Sequence, residues 1–396
     1  MPVASSFLSR PVLSVGLSTL LVGVLALSGC SSPPKAVSKP AVSKTTAVVV
    51  VKPDPFKATG IPADLAAVIK PLYLGGIVRS SPSASSPLTG RKIVKAKGPV
   101  VVKGFVATWK GERIAVVTHG KDVTLAVRAP KWTVVGGWWP SMGVSAPSLG
   151  GVPRRVLMVG SDARPGQSSN NARGDSLHIV GLDGHGGGGV LGIPRDSYVP
   201  LASGGKGKIN SALTYGGPVG LQHTVSSVTG VQLEGYLLTG FDGFYQLVQG
   251  FGGLPVDIPV AVKDDLSGAN VKAGENLLGG GMALAYGRAR HAVVGGDFGR
   301  SSNQGLLILA AGLAARHMGP EKLPRILEVA APHIDTNLTA EQVLTFAAGV
   351  FVTKPEKIKN RVATGGAGWT ADRQSIVLLD ANARNLFADM RDGNLS

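Results

Sequence analysis

The chain has a single cysteine, Cys30, in 396 residues. That excludes an intramolecular disulfide framework and any multi-cysteine zinc site. Its seven histidines are scattered without an H-x-x-x-H pair, which argues against a histidine-based metal centre. Neither a G-x-x-x-x-G-K-[ST] phosphate loop nor a G-x-S-x-G nucleophile elbow occurs. Charged residues make up only 16%, against about 25% in ordinary domains. What is present is an ordinary 44% of apolar residues, enough for a sizeable core, and 56 glycines with no collagen-like period.

The one long apolar run is at the start. Arg10 precedes Pro11–Leu27, and Leu27-Ser28-Gly29-Cys30 follows. A basic residue, an apolar run and small residues form an export signal over residues 1–29. Leu-Ser-Gly-Cys resembles a bacterial lipobox, so Cys30 is expected to carry lipid and begin the mature chain. The alternative is a single uncleaved transmembrane helix, for which about 17 residues is the lower limit. Either reading places the remaining chain on the outer face of the cytoplasmic membrane and excludes nucleic acid as a partner.

Residues 30–60 read as a Ser/Pro/Lys-rich tether. Residues 61–150 read as a small, basic, mostly β accessory region. Its β-branched and aromatic runs at 100–102, 105–109, 113–118, 123–128 and 132–135 are separated by turn residues. Ser80–Ser86 reads as a loop and Gly136–Pro153 as a hinge. Residues 151–396 alternate strand and helix patterns, which predicts an α/β domain with a central mixed sheet covered by helices. Expected helices there include Pro218–Thr229, one from an Asp242 cap to Val248, and Ser301–Arg316. Leu254–Val262 reads as one strand. Charge divides unequally. Residues 31–150 hold 17 Lys/Arg against 4 Asp/Glu, a net +13, and residues 151–396 hold 22 against 20, a net +2. The excess is either a solvated surface attracted to anionic lipid or a polyanion-binding module.

In the α/β region, charges gather at strand ends and turns. Asp162 follows one predicted strand, Arg173 and Asp175 precede another, and Arg195 and Asp196 follow a third. Arg288 and Arg290 are two apart, which puts them on one face if that piece is extended, and Asp297, Arg300 and Gln304 open a helix. Any single Asp/Arg pair is adequately explained as a surface salt bridge. Five such charged sites on one domain, at the ends where α/β sheets place ligands, predict a phosphate site. Arginine's planar fork donates two parallel bonds to phosphate, and paired carboxylates beside phosphate fit a hard divalent cation, Mg²⁺ or alternatively Mn²⁺.

The strings Gly160-Ser161-Asp162-Ala163-Arg164-Pro165, Arg173-Gly174-Asp175-Ser176, Ile193-Pro194-Arg195-Asp196, Lys208-Ile209-Asn210, Tyr215-Gly216-Gly217-Pro218 and Asp242-Gly243-Phe244 occur in order. Gly252–Val256, Ala283–Arg290 and Gly296–Arg300 follow. Together they closely resemble the LytR-CpsA-Psr family of bacterial cell-wall enzymes, from about Arg154 to Leu313. The resemblance implies a phosphotransferase that moves a glycopolymer from a polyprenyl-pyrophosphate carrier to peptidoglycan through a phosphodiester. It implies that Asp162 and Asp175 hold Mg²⁺ and that Arg173, Arg195, Arg288, Arg290 and Arg300 bind pyrophosphate. It also implies that Asp297 orients an arginine or takes the acceptor's proton, and that Gln304 bonds phosphate or Arg300; Lys208 is a further substrate-binding candidate. Two other functions stay open: hydrolysis of polyprenyl pyrophosphate without transfer, and non-catalytic binding of anionic wall polymer. A lipobox and the 91–139 β module depart from the family's usual pattern.

Overall fold

The computed structural model describes residues 54–93, 98–164 and 166–396. The leader, Cys30 and the tether through Pro53 lie outside the described residues. The elements run β1 (Phe56–Thr59), α1 (Ala63–Leu74), α2 (Pro82–Thr89), β2 (Val100–Trp109), β3 (Glu112–His119), β4 (Asp122–Arg128), β5 (Trp132–Trp139) and β6 (Val144–Ser148). Next come β7 (Arg154–Ser161), β8 (Gly174–Leu182), β9 (Gly188–Gly192), β10 (Tyr198–Pro200), β11 (Lys206–Lys208), α3 (Ser211–Thr229), β12 (Gly235–Thr239), α4 (Phe241–Gly250), β13 (Leu254–Ile258), β14 (Val262–Asp264), β15 (Ala269–Val271) and β16 (Gly274–Leu278). The last third holds α5 (Gly280–Arg288), α6 (Asp297–Met318), α7 (Leu323–Ala330), β17 (Asp335–Thr336), α8 (Ala340–Val352), β18 (Ile358–Val362), β19 (Gly365–Trp369), β20 (Ser375–Leu379) and α9 (Ala381–Asp389).

The central sheet has the order β17-β12-β7-β8-β9-β18. It is mixed: β12–β7 and β9–β18 are parallel, while β7–β8, β8–β9 and β12–β17 are antiparallel. Alternation along β7 sends Leu157 and Val159 to one face, where Leu221 and Val225 of α3 and Phe387 of α9 cover them. Val156 and Met158 point to the other face, against α7 and α8. The domain is therefore a helix-covered mixed sheet, as its alternating pattern predicts.

The first six strands form a second sheet in simple sequence order, five of them antiparallel neighbours and β1 added parallel to β2. One face buries Val100, Val102 and Trp139 under α1 and α2. The other buries Trp109, Val116 and Leu125 against Leu327 of α7 and Leu344 of α8. Helices α7 and α8 are thus shared, packed between two sheets.

Local readings fare differently. Ser80–Ser86 is not a loop: Pro82 sits in the first turn of α2, where its fixed φ and missing N–H are tolerated. Gly136 and Gly137 do not open a hinge; they lie inside β5 at a register shift opposite β4, and a side chain at Gly137 would collide with the Val123 carbonyl. At the end of that segment Arg154 is nearly fully buried. It donates to the Leu149 carbonyl at 2.6 Å, to Thr345 Oγ1 at 2.9 Å and to both oxygens of Glu234, pinning the connection. Leu254–Val262 is two strands, broken before Val262 at Pro259, which cannot donate to a ladder. Helix α4 starts at Phe241 with Gly240 as its cap, so Asp242 sits in the first turn instead. Pro218 restarts α3 after a break at Gly217, whose φ of 62° suits glycine.

Candidate active site

The strand ends that the sequence marks converge. The register pairs Ser161 with Gly174, so Asp162 and Asp175 leave β7 and β8 side by side. The backbone closes this corner: Asp162 N–H donates to the Arg173 carbonyl at 3.0 Å, and Arg173 N–H to Asp162 Oδ1 at 2.8 Å. Arg195 follows β9 and ion-pairs with Asp175 through Nη1 and Oδ2. Asn210 Nδ2 donates to the other Asp175 oxygen at 3.2 Å. From α6, Asp297 Oδ1 is 2.6 Å from Arg300 Nη2 and 3.9 Å from Arg195 Nε. Three elements thereby join in one chain of alternating charge, Asp175–Arg195–Asp297–Arg300.

That chain leaves donors over. Arg195 Nε and Arg300 Nε are buried without a hydrogen-bond partner. Burial lowers the pKa of Arg300, opposed by Asp297 but reinforced by the nearby charges of Arg195 and Arg290. At Arg195 burial also works against the charge, yet Asp175, Asp297 and Asp196 together hold its pKa above the ordinary value. A buried guanidinium with spare N–H groups is a receptor for an anion that forms strong, charge-assisted bonds.

Arg288 ends α5, and Ala289, buried and extended, sets Arg290 two residues further on. Arg288 lies with Cζ 5.1 Å from the Phe241 ring centre. The turn bearing Arg290 is held by Asp264, a residue that sequence reasoning missed. Asp264 is buried, and its carboxylate accepts the N–H groups of Leu266, Ser267, Arg290 and His291 at 2.9–3.1 Å. Burial alone would raise its pKa, but the four N–H donors outweigh this and hold it at about 2. The signal was Asp264-Asp265-Leu266-Ser267-Gly268, a turn in which an aspartate bonds N–H groups two and three residues on. Gln304 Nε2 donates to the Gly287 carbonyl at 2.9 Å, tying α6 to the last turn of α5 beside Arg288.

These residues rim a cavity of about 790 Å³. Asp162, Asp175, Arg195, Arg288, Arg290, Arg300 and Gln304 line one end. Most of the rest is apolar, between Met158, Val180 and Leu237 of the sheet and Phe244, Leu307 and Phe346 of the helices, with Arg316 also in the wall. Two predicted residues lie aside. The Arg173 side chain is exposed and does not line the cavity, and Lys208 Nζ is held by Asp196 Oδ1 at 2.9 Å.

Sequence reasoning also missed His178, fully buried on β8. Its Nε2 lies 2.9 Å from the Ser301 carbonyl and its Nδ1 3.2 Å from Ser176 Oγ. A carbonyl only accepts, so Nε2 carries the proton and Nδ1 accepts from the Ser176 hydroxyl. Burial, only partly opposed by the Ser301 carbonyl, pushes its pKa down to about 4. The ring therefore links the strand of Asp175 to the helix turn of Arg300.

A family model, the LytR_cpsA_psr family, matches residues 146–390. The chain belongs to the LytR-CpsA-Psr family. The polyisoprenyl-teichoic acid–peptidoglycan teichoic acid transferase TagV of Bacillus subtilis is 34% identical over 200 residues, 47% of this chain and 50% of TagV. The probable cell wall biosynthesis protein LcpB of Corynebacterium glutamicum is 32% identical over 151 residues, 35% of this chain and 36% of LcpB. The chain thus matches about half or less of the length of these relatives. The crystal structure of B. subtilis TagV superimposes with a TM-score of 0.51 at 30% identity, covering 61% of this chain and 98% of that one. The family match spans the central sheet and every cavity-lining charge named above.

Proposed function

We propose that this LytR-CpsA-Psr protein is a phosphotransferase that moves a glycopolymer from a polyprenyl-pyrophosphate carrier onto peptidoglycan. One observation carries the reading: Arg195, Arg288, Arg290 and Arg300 line a cavity of about 790 Å³ whose wall is otherwise mostly apolar. A substrate with a pyrophosphate at the end of a hydrocarbon tail matches both halves, charge to arginine and tail to the Leu307 and Phe346 walls. The transfer named for TagV, from a polyisoprenyl-linked teichoic acid to peptidoglycan, supports the same chemistry here.

In the reaction the acceptor hydroxyl attacks the sugar-bearing phosphorus. Its O–P bond forms as the bridging P–O bond to polyprenyl phosphate breaks, and the acceptor's proton passes to solvent or to a carboxylate of the site. Such transfers need positioning and charge neutralisation more than covalent catalysis. Arg195 and Arg300 supply buried N–H groups to the phosphates, and Asp297 holds Arg300 in place. Arg288 at the end of α5 and Arg290, on a turn held by Asp264, add charge to the cavity wall.

Among the described residues no group of three or more His, Cys, Asp or Glu is arranged around a metal position. Asp162 and Asp175, the latter with its two oxygens already bonded to Arg195 and Asn210, would be the residues to hold Mg²⁺, which needs only one or two protein carboxylates when phosphate oxygens and water complete its shell. Mg²⁺ there would neutralise phosphate charge. In the same reading the enzyme works on the outer face of the cytoplasmic membrane, held by lipid on Cys30. The test is to supply a polyprenyl-pyrophosphate-linked glycan with and without peptidoglycan. Phosphodiester-linked glycan on peptidoglycan supports transfer; release of polyprenyl phosphate with no such product would establish hydrolysis instead.

A further inference from the structure

Among the described residues no helix is long and apolar enough to cross a membrane. A smaller cavity of about 390 Å³ shares Leu247, Phe251 and Ile326 with the large one and is bordered by Met318, Lys322 and Arg325. Arg325 pairs with Glu328 at 2.5 Å, and Glu328 Oε1 accepts the Thr108 N–H of β2 at 3.3 Å. The turn Pro320–Lys322 also lies against β2 and β3. The smaller cavity therefore adjoins the basic sheet.

On that sheet the face packed against α7 and α8 runs out beyond them. Lys57 pairs in register with Val101, and Lys103 and Phe105 follow at the same-face spacing of two. Within the covered part, Ala107, Trp109 and Val116 are buried; at the uncovered end, Val101 and Phe105 are each 40% exposed and Lys57 and Lys103 are exposed. An alternation of lysine with exposed aliphatic and aromatic side chains suits an interface where hydrocarbon meets anionic headgroups. It does not suit a second copy of the chain, whose equally basic face would repel it.

We propose that Lys57, Val101, Lys103 and Phe105, with Lys322 beside the smaller cavity, form a docking face for the anionic surface of a lipid bilayer. Docked this way, the smaller cavity that Lys322 borders lies next to the lipid. A lipid tail can then enter from the membrane without crossing water. The inference extends the carrier-dependent reading above, but it is tested separately: a protein that docks and transfers nothing refutes that reading and not this one.

Cys30 is the sole cysteine, so a Cys30→Ser chain accepts one labelled cysteine cleanly. An environment-sensitive dye is placed at Phe105→Cys, or at Val101→Cys should the first misfold, and for comparison at Trp369→Cys, 71% exposed on the β19–β20 hairpin. The full-length chain is reconstituted into phosphatidylcholine vesicles with or without phosphatidylglycerol and with nitroxide-labelled lipid. The expected result is a blue shift and quenching at 105 but not at 369. Both need phosphatidylglycerol and weaken as salt rises, because exposed charges are screened beyond about 8 Å at physiological ionic strength. Lys57→Gln, Lys103→Gln and Lys322→Gln combined should abolish most of the quenching. A dye at 105 as unquenched as one at 369, or one shielded by isolated anionic wall polymer but not by vesicles, would overturn the proposal.

Discussion

Residues 31–150 carry a net +13 and residues 151–396 only +2, yet the guanidinium groups that converge on a cavity belong to the second region. In the first sheet the lysines are mostly spread over exposed positions, where water and salt screen them. In the central domain Arg195 and Arg300 are drawn inward, paired with Asp175 and Asp297, and left with N–H groups to spare. Net charge and the capacity to bind an anion are therefore separate properties. The first is a property of a surface; the second depends on burial and on fixed neighbours.

Removing one charge from each region separates the two properties. Arg300→Ala should lower turnover by about 10²–10³, the usual loss when a fixed donor to developing charge is deleted. Lys121→Gln, in the exposed β3–β4 turn, removes the same formal charge and should leave turnover within about twofold. Steady-state rates on purified proteins check both. Equal losses would mean that overall charge, and not the buried cluster, drives activity.

The next largest effects concern stability, and ask whether the two regions melt as one. Leu344 of α8 is fully buried in the core that both sheets share. Leu344→Ala should cost about 2–5 kcal/mol. Followed by tryptophan fluorescence and by far-ultraviolet circular dichroism, unfolding should remain a single transition at lower denaturant. Two separate transitions would show that the shared helices do not couple the sheets. Arg154→Met, which strands the Glu234 carboxylate, should cost about 3–5 kcal/mol in the same assay.

His178 gives a smaller, pH-dependent effect confined to the central domain. Its folded pKa of about 4 lies below the ordinary 6.5, so the unfolded chain binds a proton that the folded one refuses. Stability then rises with pH across the window from about 4 to 6.5 and is lost as the solution is acidified through it. The shift corresponds to a loss on the order of 3 kcal/mol across the window. His178→Gln can still donate to the Ser301 carbonyl but cannot titrate. It should flatten that part of the stability profile, read from urea midpoints at stepped pH, while wild type and variant converge in shape above pH 7.

Much of this architecture was legible because periodicity speaks directly about burial. The alternation in Arg155–Val159 and Leu177–Leu182 marks central strands, and the runs from Val100 to Val135 mark the first sheet. The helix at Pro82–Thr89 was hidden because Ser and Pro favour loops on average, whereas here Pro occupies the one helical turn that tolerates it. Gly136-Gly137 resembled a hinge, but those glycines are required by close approach of neighbouring backbone inside a strand. At the site, the motif residues could be named but not their partners. Arg195 bonds Asp175, twenty positions away, and Arg173 stays exposed beside its sequence neighbour. The apolar cavity gave no signal at all, since Leu247, Leu307 and Phe346 read as ordinary core. His178 looked like one scattered histidine until β8 carried it under α6.

In the proposed mechanism the arginine cluster and the apolar cavity serve one amphiphilic substrate. The most direct measurement is kcat/KM for donors that share glycan and pyrophosphate but differ in prenyl length. With a tail long enough to fill the cavity, kcat/KM should exceed that for a two-isoprene tail at least tenfold, about 1.4 kcal/mol of added binding, and Arg300→Ala should lower the rate with both. Equal kcat/KM for the long and short donors, each dispersed below its aggregation threshold, would contradict the account.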